Sequence, residues 1–103
     1  MASGILGSRD GDDTAGTVYT VPSSTLAVVN INVANTSTSA DDVIIYICES
    51  GETPGTVNII DSLSLGAKST IERTNIVLEA ASFVAVNSSA NTVTNVYGIE
   101  ESV

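Results

Sequence analysis

Histidine and tryptophan are absent from this chain of 103 residues, and its only basic side chains are Arg9, Lys68 and Arg73. Without histidine the sequence lacks the commonest general base and the commonest transition-metal ligand. Three cations against twelve carboxylates leave a net charge of −9. Such a chain has little with which to displace counterions from phosphates, which argues against a nucleic-acid partner and an anionic membrane surface. The single cysteine, Cys48, has no partner for an internal disulfide. It lies in the apolar run VIIYIC with no cation beside it, so it reads as a buried, inert thiol rather than a nucleophile. Aromatic residues make up only 4% of the sequence, which leaves few large anchors for gripping a ligand. No stretch approaches the roughly 20 apolar residues of a membrane span, and the opening MASGILGSRDGDD has neither the basic start nor the apolar core of a secretory signal. The expectation is a non-enzymatic protein made in a cytoplasm, with no cofactor.

What is present is β-signal. In the stretch TLAVVNINVA from Thr25 to Ala34, residues Ala27, Val29, Ile31 and Val33 share one face at a period of two. The other face begins apolar with Leu26 and Val28 and turns polar at Asn30 and Asn32. A strand with apolar residues on both faces at one end belongs in a sandwich or at a subunit contact. Val43 to Cys48 is apolar at nearly every position, as expected of a covered strand. Further strands are expected over Thr17–Val21, within Val57–Leu65, over Ser69–Leu78, Ser82–Val86 and Thr92–Tyr97. Polar turn clusters separate them. The sequence therefore predicts an all-β domain, a single antiparallel β-sandwich of seven to eight strands in jelly-roll or immunoglobulin-like order, occupying residues 17–103. Residues 1–16, rich in Gly, Ser and Asp, read as an extended N-terminal arm outside that domain.

Several local features carry expectations of their own. The cluster RDGDD, with Asp10, Asp12 and Asp13, lacks the ligand spacing of a calcium loop and reads as a solvated turn. Pro54-Gly55 suggests a type II turn with positive φ at the glycine. Asn35 and Asn87 begin formal glycosylation sequons, taken as coincidental. Glu72 and Arg73 suggest cross-strand ion pairing, with Arg73 answering a carboxylate of this chain or of another copy. Gly98 is expected to bend the chain or admit a close backbone approach, with Ile99 tucked in and Glu100 and Glu101 in water. Tyr19, Tyr46 and Tyr97 are expected in core or rim packing rather than in a sugar-stacking platform.

The segments MASGILGS, TVYTVPSSTLAVVNINVAN, IERTNIVLEAASFVAVNSS and TVTNVYGIEE together cover most of the chain. In combination they resemble small virion structural proteins of tailed bacteriophages, particularly contractile-tailed marine phages. Asn75 stands where that family pattern has glycine, and Ala80-Ala81 where it has a turn glycine. The resemblance implies a non-enzymatic β-sandwich present in many copies on a phage particle, with no catalytic residues to carry over.

Together these readings point to a head decoration or cement protein bound to the outer capsid surface. Its expected partners are the major capsid protein and further copies of itself. A neck, tail or baseplate accessory role is the alternative within the virion, and a glycan-binding adhesin module the alternative outside that class. The residues expected at the interface are Ile5 and Leu6 in the arm, Leu26 and Val28 on the long strand, and Arg73.

Overall fold

The computed structural model describes residues 3–103. Alternating sequence becomes eight strands: β1 (Ser3–Asp10), β2 (Ala15–Thr20), β3 (Thr25–Asn35), β4 (Asp41–Cys48), β5 (Ile59–Leu65), β6 (Thr70–Leu78), β7 (Phe83–Asn87) and β8 (Thr92–Ser102). One 3-10 turn, Thr56–Asn58, precedes β5. Among the described residues no helix is long and apolar enough to cross a membrane.

The strands form two antiparallel sheets, ordered β1-β8-β3-β6 and β2-β7-β4-β5. The pairs β1·β8, β2·β7, β3·β6 and β4·β5 are the rungs of one long hairpin that turns at the β4–β5 connection. Rolling that hairpin about its axis brings β3 against β8 and β4 against β7. The result is jelly-roll order; an immunoglobulin-like order would group the strands differently.

Strand parity fixes the core. Ala27, Val29, Ile31 and Val33 of β3 are 0% exposed, and they join one cluster with Val43 and Ile45 of β4 and Val84 and Val86 of β7. Each fully buried Val or Ile contributes about 1.5–3 kcal/mol relative to exposure. The alternate residues of β3, from Leu26 to Ala34, lie half-buried on the outer face.

The N-terminal arm expected over residues 1–16 is instead part of the sandwich over its described length. β1 pairs with β8 from Ser3↔Ile99 to Asp10↔Val93, and β2 already begins at Ala15. Met1 and Ala2 lie outside the described residues. A bulge between Ile5 and Gly7 sends Leu6 into the core and leaves Ile5 exposed. This broken parity explains why GILGSRD does not read as a strand.

A sandwich has two open long edges, and an arginine stands at each. Arg73 lies opposite inward-facing Ile31, and Asp61 opposite inward-facing Ile45. Arg73 Nε donates to Asp61 Oδ2 at 2.6 Å, which joins β6 to β5 over the core. The carboxylate holds the guanidinium pKa above its ordinary value. At the other edge Arg9 packs so tightly on Gly16 of β2 that a Cβ there would sit 1.9 Å from its Nη2. Arg9 Nη2 also donates to Asp12 Oδ1 at 2.7 Å. Tyr19 of β2 adds a third tie, its hydroxyl donating to Glu100 of β8 at 2.5 Å.

The polar end of the sandwich is held by Asn35, which is 2% exposed. Its Nδ2 donates to the carbonyls of Ser39 and Leu65 at 2.9 and 3.0 Å. Its Oδ1 accepts from Ser37 N and Oγ at 3.0 and 2.8 Å. A single side chain thus joins the β3–β4 loop to the start of the β5–β6 turn.

Turn chemistry departs from the expectation at Pro54-Gly55. Gly55 is extended, with φ −151°. The positive φ, +81°, belongs to Gly51, inside the turn closed by Glu52 N donating to Glu49 O at 3.1 Å. Glu52 Oε1 accepts from Glu49 N at 2.6 Å and from Asn58 Nδ2 at 3.1 Å, which organises the connection up to β5. Gly98 does not bend the chain, because β8 runs through it to Ser102. It does admit a close approach, since a Cβ there would lie 2.1 Å from Val28 O. Inward–outward alternation continues past Val96, so Ile99 faces outward, 46% exposed, and Glu100 faces Tyr19. Asn75 and Ala81 have φ of +58° and +67°, conformations that cost an L-residue energy.

Three outcomes are expected. Asn35→Ala leaves buried carbonyls without donors and lowers stability in urea titration by about 2–3 kcal/mol. Ala81→Gly relieves the left-handed backbone by more than glycine adds to unfolded-state entropy, and gains about 0.5–1 kcal/mol in the same assay. Burial, reinforced by Glu100, raises the Tyr19 pKa well above its ordinary value near 10. Because the folded value is the higher, this contribution is intact below about pH 10 and fades as pH climbs towards the folded value. Tyr19→Phe should lose about 1 kcal/mol at pH 7 and show a shallower alkaline decline. Tyr97, raised in the same direction by Glu72, keeps part of that decline.

Candidate functional site

The outer face of the sheet β1-β8-β3-β6 divides by register into a polar and an apolar half. The row Ser8–Asn95–Asn32–Glu72 crosses all four strands, with Ser8 Oγ donating to Asn95 Oδ1 at 2.6 Å. One pair further along, Ile5 lies opposite Tyr97, and Tyr97 opposite Asn30. The next row is Ile99–Val28–Val77, and Leu26 follows Val28 on the same face. Ile5, Val77 and Ile99 are 65, 64 and 46% exposed. This cluster of exposed aliphatic groups makes the face the candidate interaction surface.

Tyr97 borders this patch and is itself fixed. Its hydroxyl donates to the Glu72 carboxylate, two strands away on β6. That bond raises the phenol pKa, with desolvation adding to it.

Leu26 and Val77 also line an open cleft of about 530 Å³ between the end of β6 and the connection after β4. Its apolar lining includes Ile47 and Val57, and Val57 is 93% exposed. Glu49, Glu52 and Glu79 are its charged residues. Cys48 lies in the lining but is 1% exposed, and burial, with Glu52 adding to it, pushes its pKa up. A thiol held protonated in this way is a poor nucleophile.

The other sheet has a smaller apolar cluster on its outer face. Tyr46, Cys48 and Ala85 are buried there beneath half-covered Ile44, Ile59 and Phe83. This is the second face of the VIIYIC strand.

Of the residues expected at an interface, Ile5, Leu26 and Val28 come together on one outer face. Leu6 packs into the core instead. Arg73 finds its carboxylate within the chain, at Asp61, twelve residues away. Val77 and Ile99 belong to the patch but were not expected there. Parity counted from Val96 places Ile99 outward, and parity from Leu78 does the same for Val77. The tyrosines are dispersed: Tyr19 in the core, Tyr46 on one outer face and Tyr97 on the other.

The RDGDD turn is a stapled structure. Asp12 Oδ1 accepts from Thr14 N and Oγ1 at 3.1 and 2.5 Å as well as from Arg9. The Thr14 hydroxyl bond leads the effects that lower the Asp12 pKa. Among the described residues no group of three or more Cys, Asp or Glu side chains converges as a metal site would require.

Comparison with protein families, curated proteins and solved structures finds no match to this chain, so the surface itself is the guide to what it does.

Proposed function

We propose that the chain is an accessory structural protein of a tailed-phage virion, made in the host cytoplasm and bound in many copies to the outside of the head. The observation that carries this reading is the apolar half of the outer sheet face, where Ile5, Val28, Val77 and Ile99 form a patch suited to another protein. Sequence resemblance to small virion proteins supplies the class of partner. Backbone geometry supports that resemblance at its two departures. Asn75, and the second residue of the pair Ala80-Ala81, have positive φ, the conformation for which glycine is the default residue.

Charge supports an outer location. At −9, the protein would be repelled by packaged DNA, whereas the external surface imposes no such penalty. On a particle, the apolar face would cover neighbouring capsid subunits, and repetition over many sites would make weak individual contacts collectively firm. No catalytic step forms part of this role. A neck, tail or baseplate position would use the same face and differs only in which virion protein lies beneath it. A glycan-binding role has less support: Tyr97, the only tyrosine on this face, has its hydroxyl engaged by Glu72.

Immunogold labelling of intact particles, with antibody against this chain, tests the proposal. Gold distributed over the heads is the expected result. Gold confined to neck or tail would move the protein to the alternative position, and unlabelled particles would overturn the virion reading.

A further inference from the structure

The cleft beyond the apolar face has a chemistry of its own. Its exposed aliphatic groups are Val57 and Val77, with Leu26 and Ile47 deeper. Three carboxylates stand around them, from Glu49, Glu52 and Glu79, and no cation is among its lining residues. Glu52 holds the connection after β4 in place through Glu49 N and Asn58 Nδ2. Among the described residues, the Glu49 and Glu79 carboxylates make no hydrogen bond or ion pair within the fold.

The basic side chains of this protein are committed elsewhere. Arg9 pairs with Asp12, Arg73 with Asp61, and Lys68 Nζ donates to Thr36 O at 2.8 Å. A second copy would bring a further −9 to a rim that is already acidic, so self-docking at the cleft is repulsive. Charge complementarity instead selects a cationic occupant, and the exposed valines select one with aliphatic side chains.

We infer that this cleft receives an extended segment of another protein in which Val or Leu alternates with Lys or Arg, the aliphatic groups seated on Val57 and Val77 and the cations on Glu49 and Glu79. Alternation matters because an extended chain sends successive side chains to opposite sides. Apolar groups meet the exposed valines while their neighbours turn to the carboxylates beside them. The inference goes beyond the virion reading and does not depend on it. A cationic segment of any partner protein meets the same chemistry, and particle labelling has no bearing on the result.

The test titrates the isotope-labelled full chain with the amidated peptide Lys-Val-Lys-Leu-Lys, followed by NMR. Its acidic twin, Glu-Val-Glu-Leu-Glu, is the control. Expected are shifts centred on the amides of Glu49, Val57, Val77 and Glu79, and affinity that falls as salt rises from about 20 to about 300 mM. The double substitution Glu49→Gln with Glu79→Gln should weaken binding on the order of tenfold. Val57→Ser with Val77→Ser should weaken it several-fold, while retained spectral dispersion shows that the fold is intact. Equal binding of the acidic peptide, shifts scattered over all surface carboxylates, indifference to the glutamine pair, or no binding at about 5 mM peptide would each overturn the inference. Sedimentation showing a dimer abolished by the valine substitutions would overturn it in favour of a second copy.

Discussion

Contact between two sheets through short aliphatic side chains is the constraint on which this structure rests. With aromatics at 4% of the sequence, Tyr19 is the one ring in the main core cluster, and Val, Ile, Leu and Ala fill most of the other inward positions. Such a core is thin and has no protected centre far from its margins. Water excluded at the faces could still enter between the sheets, and the edges therefore matter as much as the middle. Arg73 with Asp61 and Arg9 over Gly16 occupy those edges. Both use a planar cation whose head finds a carboxylate. Two of the three basic residues of an acidic chain are thus explained by architecture, and their engagement leaves Glu49 and Glu79 at the cleft without a cation.

The same economy of large side chains makes the outer faces informative. Aliphatic residues are needed inside, so their presence outside on β1, β3, β6 and β8 is the feature on which the proposed docking rests. The face is polar where Ser8, Asn95, Asn32 and Glu72 cross it and apolar where Ile99, Val28 and Val77 do. On the proposed reading, this boundary would mark both where a partner sits and where its contact stops. Next to it, the acidic cleft adds direction, since an apolar surface alone sets neither orientation nor sign of charge.

Much of the fold was legible because parity is a local property. The β3 pattern could be read residue by residue, and Ala27, Val29, Ile31 and Val33 are buried as that pattern requires. β1 was not legible, because its register shifts between Ile5 and Gly7 and its only large apolar residues, Ile5 and Leu6, are too few to show a period. The positive-φ turn lay at Gly51 rather than at Pro54-Gly55, since the proline signal marks a permitted geometry and hydrogen bonding from Glu52 decided the actual one. Arg73 was rightly expected to meet a carboxylate. The clue to Asp61 was its position in IIDSLSL: it shares the inward parity of Leu63 and Leu65, where an acid is out of place unless answered. For the surface, Leu26, Val28 and Ile5 were identified individually. What one dimension could not supply was the register that places Val77 and Ile99 beside them.

Rolling a single long hairpin has a consequence in time as well as in space. β8 lies between β1 and β3, so the centre of one sheet is assembled from segments nearly a chain length apart, as in the pairing of Ser3 with Ile99. Closing such loops costs entropy before any contact repays it, which makes folding slow compared with a helical bundle of equal size. During synthesis, β1 and β3 must emerge from the ribosome and wait for residues up to Ser102 before their shared neighbour exists. Throughout that interval the valines of β3 have no permanent cover. Unfinished chains therefore expose apolar surface until the last strand arrives, which makes them the aggregation-prone species of this fold.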